Sequence, residues 1–336
     1  MKAVVIKQKS VLSIEHVPTP QAGPGEVVVE VKYCGICGSD IRLLADGYFP
    51  VGLIPGHEFC GRLSEVGTGV DGWFVGDRVT ATPVVMCGTC RYCLHGQWHH
   101  CSRIKTVGVN LEVPGAFAEY VKVKAEMLHR LPGEVTDEEA ASVEPCAVSL
   151  RAVGRSGIKI GNSVVIFGAG SIGLFVLQCA RLAGAKSIYV IEPAQGRACA
   201  ATALGADRVF DPAQVSAHVE VAKLCEDGAD VAFVCTAASP SLQQAVETVR
   251  KQGRVMLVSG GGPAEVIPEL WMWKEVEVSG SFSYLDEFSQ ALELFRQQKV
   301  KVEGMISDIV PLERAPQMFR DLVTPSSQIK VLVRPG

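Results

Sequence analysis

A run of five residues rich in β-branched side chains, 163–167, leads straight into Gly168-Ala-Gly-Ser-Ile-Gly173, and an apolar segment, 174–182, follows at once. The run reads as a strand and the segment as a helix. A G-x-G-x-x-G pattern is informative only in that setting. Gly168 permits the turn, Gly170 lets the backbone approach a pyrophosphate, and Gly173 lets the helix pack close to the strand. Ser171 and Ile172 complete the cradle. The chain is therefore expected to hold a dinucleotide on a parallel sheet.

Downstream residues agree with that expectation. A second strand, 187–191, ends in Glu192, nineteen residues after Gly173. A carboxylate there accepts hydrogen bonds from ribose hydroxyls and repels a 2′-phosphate, which favours NAD over NADP. Arg197 lies close enough in sequence to pair with a phosphate and keeps NADP as the lesser alternative. Helix-like segments at 197–204, 215–225, 242–250 and 285–297 alternate with strand-like ones at 208–210, 231–235, 254–259 and 276–282. Alternation of this kind builds βαβ units. Trp271 and Trp273 precede the strand at 276–282 and are expected to pack.

The first half reads as β, with strands at 1–7, 11–17 and 26–32. Cys37 follows in a glycine-flanked turn before a short helix, 40–45. His57 and Glu58 follow a Pro-Gly turn; an imidazole beside a carboxylate is metal-ligand chemistry. Cys34 reads as packing. Cys87, Cys90, Cys93 and Cys101 then run C-x2-C-x2-C-x7-C. Two-residue gaps aim successive thiolates at one point, and a fourth closes the tetrahedron of a structural zinc. A disulfide-paired loop is the competing reading, and His95, His99 or His100 could replace one thiolate. Thr136 and Glu139 form a capping-box pattern for a helix at 140–143 that delivers Glu144.

The chain has 336 residues, 48% hydrophobic and 20% charged, with a formal net charge of −4. Such a length suggests two domains, and the composition suggests a folded core. No basic stripe offers itself to nucleic acid. No apolar run is long enough to span a membrane, and the N-terminus lacks a signal-peptide pattern. Twelve cysteines without a signal peptide are expected in a reducing, cytoplasmic setting.

Taken in order, G-H-E-x2-G from Gly56, G-x-G-V from Gly67, G-D-R-V from Gly76, the four-cysteine stretch, G-A-F-A-E-Y-V from Gly115 and the glycine turn at Gly168 span nearly the whole chain. The chain resembles the zinc-dependent medium-chain alcohol and polyol dehydrogenases. The resemblance implies a GroES-like, β-rich catalytic domain over residues 1–152 with a structural-zinc lobe at 84–104. It implies a Rossmann domain, a doubly wound parallel sheet, over 153–288, and a return to the first domain over 289–336. It also implies two zinc ions per chain. One would sit on Cys87, Cys90, Cys93 and Cys101. The other would be held by Cys37, His57 and Glu144, with Glu58 as a further carboxylate.

Glutamate followed by proline, Glu144-Pro145, resembles the sorbitol, threonine and butanediol dehydrogenase branch. The ethanol-type branch has cysteine at that position, and Cys146 stands two residues too late. Ser39 would pass on the alcohol's proton. Arg42 stands where many members carry a relay histidine; an arginine does not accept a proton at ordinary pH. It either holds an anionic group of the substrate or is a surface residue. The expected reaction moves hydride between NAD(H) and a secondary alcohol of a polyol, sugar, sugar acid or cyclitol, in a homodimer or homotetramer. A primary-alcohol or aldehyde-type dehydrogenase is the alternative enzyme, and a zinc-ribbon-like binding module the alternative of another class.

Overall fold

The computed structural model describes residues 1–260, 262–324 and 327–336. Two sheets organise the molecule. The first is built round the strand Glu26–Gly35, where Val27, Val28, Val29 and Val31 are all buried. It runs in the order Ile306–Pro311, Lys330–Arg334, Glu26–Gly35, Glu58–Val66, Arg78–Ala81, Leu128–Arg130, with Tyr120–Lys124 also paired to Glu26–Gly35. The chain's last strand thus lies against one of its earliest. At Gly61 a Cβ atom would lie 2.0 Å from the Glu30 carbonyl oxygen. Only bare backbone fits that strand crossing.

The second sheet has six parallel strands in the order Arg208–Phe210, Ser187–Ile191, Ser163–Phe167, Ala229–Val234, Val249–Leu257, Glu277–Gly280. Successive strands grow outward from Ser163–Phe167 in both directions, which is the doubly wound Rossmann topology. Where the order reverses, beside Ser163–Phe167 and Ala229–Val234, the strand ends leave a crevice. The helices Val143–Ser156, Ser171–Leu182 and Glu287–Arg296 share one core over the sheet. Ala217–Leu224, Ser241–Thr248 and Pro268–Lys274 cover its other face. The architecture is therefore a β-rich GroES-like domain joined to a Rossmann domain.

Several elements differ from expectation. The helix expected at 140–143 is two: a short Asp137–Ala140 and a long Val143–Ser156, so Glu144 lies in the first turn of the second. Pro145 sits in that first turn, where a proline forfeits no intrahelical bond. Pro268–Lys274 is a helix that sequence did not reveal. Trp271 packs beneath it, whereas Trp273 is 67% exposed. The helix expected at 242–250 ends at Thr248, and Val249 already belongs to a strand. The strand expected at 276–282 is shorter, Glu277–Gly280.

The capping box at Thr136 is present. Its hydroxyl accepts from the Glu139 N–H at 3.2 Å, and the Glu139 carboxylate accepts from the Thr136 N–H at 2.8 Å. Thr136→Ala is expected to cost about 1 kcal/mol, read as a fall of roughly 2–4 °C in thermal midpoint.

Candidate metal centres and dinucleotide cleft

Antiparallel pairing of Gly35 with Glu58 brings the turn after one strand beside the start of the other. That register places Cys37 against His57 and Glu58. One ligand atom from each of these three lies within 4.8 Å of the other two. Asp40, one turn into the helix Gly38–Ala45, accepts from the Cys37 N–H at 3.2 Å through one carboxylate oxygen. Its other oxygen lies 3.3 Å from His57 Nδ1. Apart from each other, these two buried atoms have no partner among the described residues. A proton held on Nδ1 by Asp40 leaves the Nε2 lone pair free for a metal. Burial disfavours a charged His57, but the Asp40 carboxylate and Cys37 outweigh it and hold the imidazole well above its ordinary pKa.

Glu58 is buried, and its Oε2 accepts from Lys330 Nζ at 2.6 Å. Lys330 also donates to the Ile36 carbonyl at 3.0 Å. Glu144 stands outside the three-residue cluster but close to it. Burial pushes its carboxyl up to about 7, with His57 pulling it down and Glu58 opposing that pull. Tyr284 is wholly buried beside Glu144, and burial together with that carboxylate holds its hydroxyl well above its ordinary pKa. The Ser39 hydroxyl donates to Cys37 Sγ at 3.1 Å. Cys146 is fully buried in the apolar core and takes no part.

Asp40 and Lys330 were not singled out from sequence as site residues. Asp40 could have been found by its place three residues after Cys37. Lys330 shows only as a lysine opening an apolar strand. Arg42 is exposed, and its guanidinium donates to the Gly260 carbonyl on the facing domain. Arg42 is thus a surface residue, as one of the two readings above had it, with a backbone partner.

In the second centre the sulfurs of Cys87, Cys90, Cys93 and Cys101 all lie within 4.8 Å of one another. Cys87–Cys93 and Cys90–Cys93 are separated by 4.0 Å and 3.5 Å. Zinc–sulfur bonds of about 2.3 Å in a tetrahedron require sulfurs about 3.8 Å apart, so the donor set fits zinc. Backbone N–H groups support it: Cys90 donates to Cys87 Sγ at 3.3 Å, and Cys87 and Arg103 donate to Cys101 Sγ at 3.4 Å. Hydrogen bonds from the backbone at Thr89 and Cys90, against the opposing effect of burial, bring the Cys87 thiol down to about 5. Burial and neighbouring thiols push Cys93 up to about 12. All twelve cysteines are free thiols, which excludes the disulfide reading. His95 is bonded to the Arg91 carbonyl and His99 to Arg151, and no histidine belongs to the four-sulfur cluster.

The glycine turn lies at the crevice of the parallel sheet. A Cβ on Gly173 would sit 1.9 Å from the Gly168 carbonyl oxygen, so the close helix–strand approach requires glycine. The helix begins at Ser171 with Gly170 as its cap. Glu192, buried at the end of Ser187–Ile191, accepts from the Ala169 N–H at 2.7 Å and the Ala194 N–H at 2.9 Å. It therefore braces the glycine turn from the end of the second strand. Ser171 and Arg197 are tied to the carbonyls of Ile329 and Gln328, at 3.1 Å and 2.9 Å. Next along the crevice, Thr236, Ser259, Gly260, Ser281 and Phe282 line a cavity of about 340 Å³.

Among the described residues no helix is long and apolar enough to cross a membrane. Residues 23–133 match the alcohol dehydrogenase GroES-like domain, and residues 171–297 match the zinc-binding dehydrogenase family. The chain is 35% identical to the (R,R)-butanediol dehydrogenase of Bacillus subtilis, over the full length of both. The crystal structure of the 2R,3R-butanediol dehydrogenase from Bacillus subtilis superimposes with a TM-score of 0.91 at 34% identity, covering 100% of this chain and 99% of that one. A sorbitol dehydrogenase of Halalkalibacterium halodurans is 34% identical, over 100% of this chain and 99% of the relative. A structure from Sinorhizobium meliloti 1021 that holds NADP superimposes with a TM-score of 0.93 at 31% identity, covering 99% of each chain. The cysteine lobe is thus one part of a full-length enzyme fold rather than a free-standing zinc module, and the chain belongs to the zinc-dependent medium-chain dehydrogenases, on the branch of the butanediol and sorbitol dehydrogenases.

Proposed function

We propose that this protein oxidises a secondary alcohol of a polyol, sugar, sugar acid or cyclitol, and reduces the corresponding ketone, with NAD(H) as partner. The observation that carries the proposal is the meeting of Cys37, His57 and Glu58, with Glu144 beside them, at the edge of a dinucleotide cleft. Cys37, His57 and one of the two glutamates would hold a catalytic zinc. A zinc held there would supply Lewis acidity that lowers the pKa of the substrate hydroxyl, and a nicotinamide in the cleft would supply the hydride acceptor.

The chain's own residues position and discharge these steps. Asp40 fixes the His57 tautomer. Ser39, already bonded to Cys37, stands where it can take the alcohol's proton. Arg42 cannot carry that proton onward, so its exit runs by water, cofactor ribose or a carboxylate. Gly168, Gly170, Ser171, Ile172 and Gly173 cradle the pyrophosphate, and Glu192 accepts the ribose hydroxyls. A buried carboxylate at that point opposes a 2′-phosphate, which supports NAD over NADP. Purified protein mixed with NAD or NADP and a panel of polyols tests the reading. NADH should accumulate with at least one secondary alcohol, faster than NADPH; silence across the panel with zinc supplied would count against it.

Cys87, Cys90, Cys93 and Cys101 would hold the second, structural zinc, closed by four thiolates. Metal analysis should therefore find two zinc ions per chain. Cys90→Ser is expected to remove one of them and lower the thermal midpoint by roughly 10 °C, measured by metal content and melting, since ligand binding to the folded form stabilises it.

A homodimer or homotetramer of cytoplasmic chains completes the reading. The edge strand Glu277–Gly280 and the exposed Met272 and Trp273 support a contact between copies there.

A further inference from the structure

Between the cysteine lobe and the C-terminal half of the helix Val143–Ser156 lies a cavity of about 310 Å³, lined by His99, His100, Arg151, Arg155, Gly280, Ser281 and Phe282. It is separate from the metal cluster of Cys37, His57 and Glu58. Three residues of its lining carry buried polar atoms with no partner among the described residues: His99 Nδ1, Arg151 Nε and Ser281 Oγ. His99 is 3% exposed and Ser281 8%. Unpartnered buried polar atoms are rare in native proteins, and three on one cavity call for a ligand or ordered water.

The chemistry of the three is one-sided. A guanidinium only donates, so Arg151 Nη2, at 3.1 Å from His99 Nε2, obliges that nitrogen to accept. The His99 proton is then on Nδ1, which becomes a donor. Arg151 Nε–H is a donor, and the Ser281 hydroxyl can be one. Arg155 adds a second cation; its Nε donates to the Gly280 carbonyl at 3.2 Å, and the rest of its guanidinium is exposed. The nearby anion is Glu287, whose two oxygens already accept from Arg151 Nη1 at 3.1 Å and the Leu285 N–H at 2.6 Å. The cavity thus presents donors and positive charge to an occupant that must accept. Charge-assisted bonds of this kind are the strong ones.

We propose that this cavity binds a tetrahedral oxyanion of the phosphate class, either free or carried on a small metabolite. Ser281 and Phe282 also line the cavity of about 340 Å³ described above, so the bound anion would share a wall with that cavity.

Isothermal titration of the zinc-loaded, full-length protein with inorganic phosphate tests this, run with NADH present so that the pyrophosphate cradle is filled, and with sodium chloride at matched ionic strength as control. One saturable phosphate site per chain is expected, and none with chloride. Arg155→Gln and Ser281→Ala should each weaken binding about tenfold, the cost of losing one bond to a charged group. Circular dichroism and melting show that each variant is folded. A sugar phosphate that binds more tightly than phosphate, where its unphosphorylated sugar does not bind, would identify a metabolite as the carrier. Equal affinity would identify free phosphate. The proposal is overturned by no saturable binding, whether water or a side chain of a second copy fills the cavity, or by binding that both variants leave unchanged.

Discussion

His57→Ala is expected to abolish alcohol oxidation, by about 10³-fold or more, while the protein stays folded and keeps its other zinc. His57 is the junction of the site. Its ring stands between Cys37 and Asp40, with Nδ1 3.3 Å from the carboxylate. Metal content should fall from two ions per chain to one, and Cys90 and its partners should still bind theirs. Asp40→Asn should act more mildly, since the histidine remains and only its orientation weakens. A loss of about 10–100-fold in metal affinity is the usual size of such an effect. Asp40 and Cys37 hold the imidazole above its ordinary pKa against the effect of burial. Zinc must therefore displace a proton to bind, and its affinity should fall as pH falls. Zinc titrations at several pH values check that direction. His57→Ala that retained two zinc ions and full activity would sink the assignment.

The legible parts of this molecule were those with short sequence range. A glycine turn flanked by strand and helix signals itself within about 20 residues, and so does a C-x2-C-x2-C-x7-C loop. Both motifs are local, because backbone geometry dictates their spacing. Glu144 was legible only with Pro145 and a known branch of relatives behind it. The structure places it in the first turn of a second helix, Val143–Ser156, where the sequence alone reads as one short helix ending at Val143. The gathering of Cys37, His57 and Glu58 rests on a strand register, Gly35 opposite Glu58, that no local pattern states. Lys330 was the hardest to read. It is 272 residues from Glu58 along the chain and meets it through a strand added by the returning C-terminal segment. Contacts of that range follow from topology, so a lysine at the head of K-V-L-V reads as an ordinary edge residue until the sheet order is known.

Lys330→Met is expected to destabilise the protein by about 3–5 kcal/mol, the usual cost of removing one partner from a buried ion pair. The geometry leaves little room for rescue by solvent, since the side chains of Lys330 and Glu58 are 4% and 1% exposed and 2.6 Å apart. Methionine keeps the length and the apolar stem, so the loss reports charge rather than volume. Denaturant unfolding in the presence and absence of zinc makes the test sharper. With zinc removed, Glu58 in the variant has no adjacent cation, and the full loss should appear. With zinc bound, the loss should shrink if Glu58 faces the metal, because the dication replaces the missing charge. It should persist unchanged if only Glu144 does. The same pair predicts an alkaline limit. Burial alone would lower the Lys330 pKa, but Glu58, Cys37 and Glu144 together raise it above the ordinary value. A raised lysine contributes stability that is fully present below its unfolded pKa and lost as pH rises through the folded one. Stability of the native protein should therefore decline above about pH 10.4, the ordinary lysine value, and Lys330→Met should flatten that decline. A decline of equal steepness in both proteins would show that the pair does not govern it.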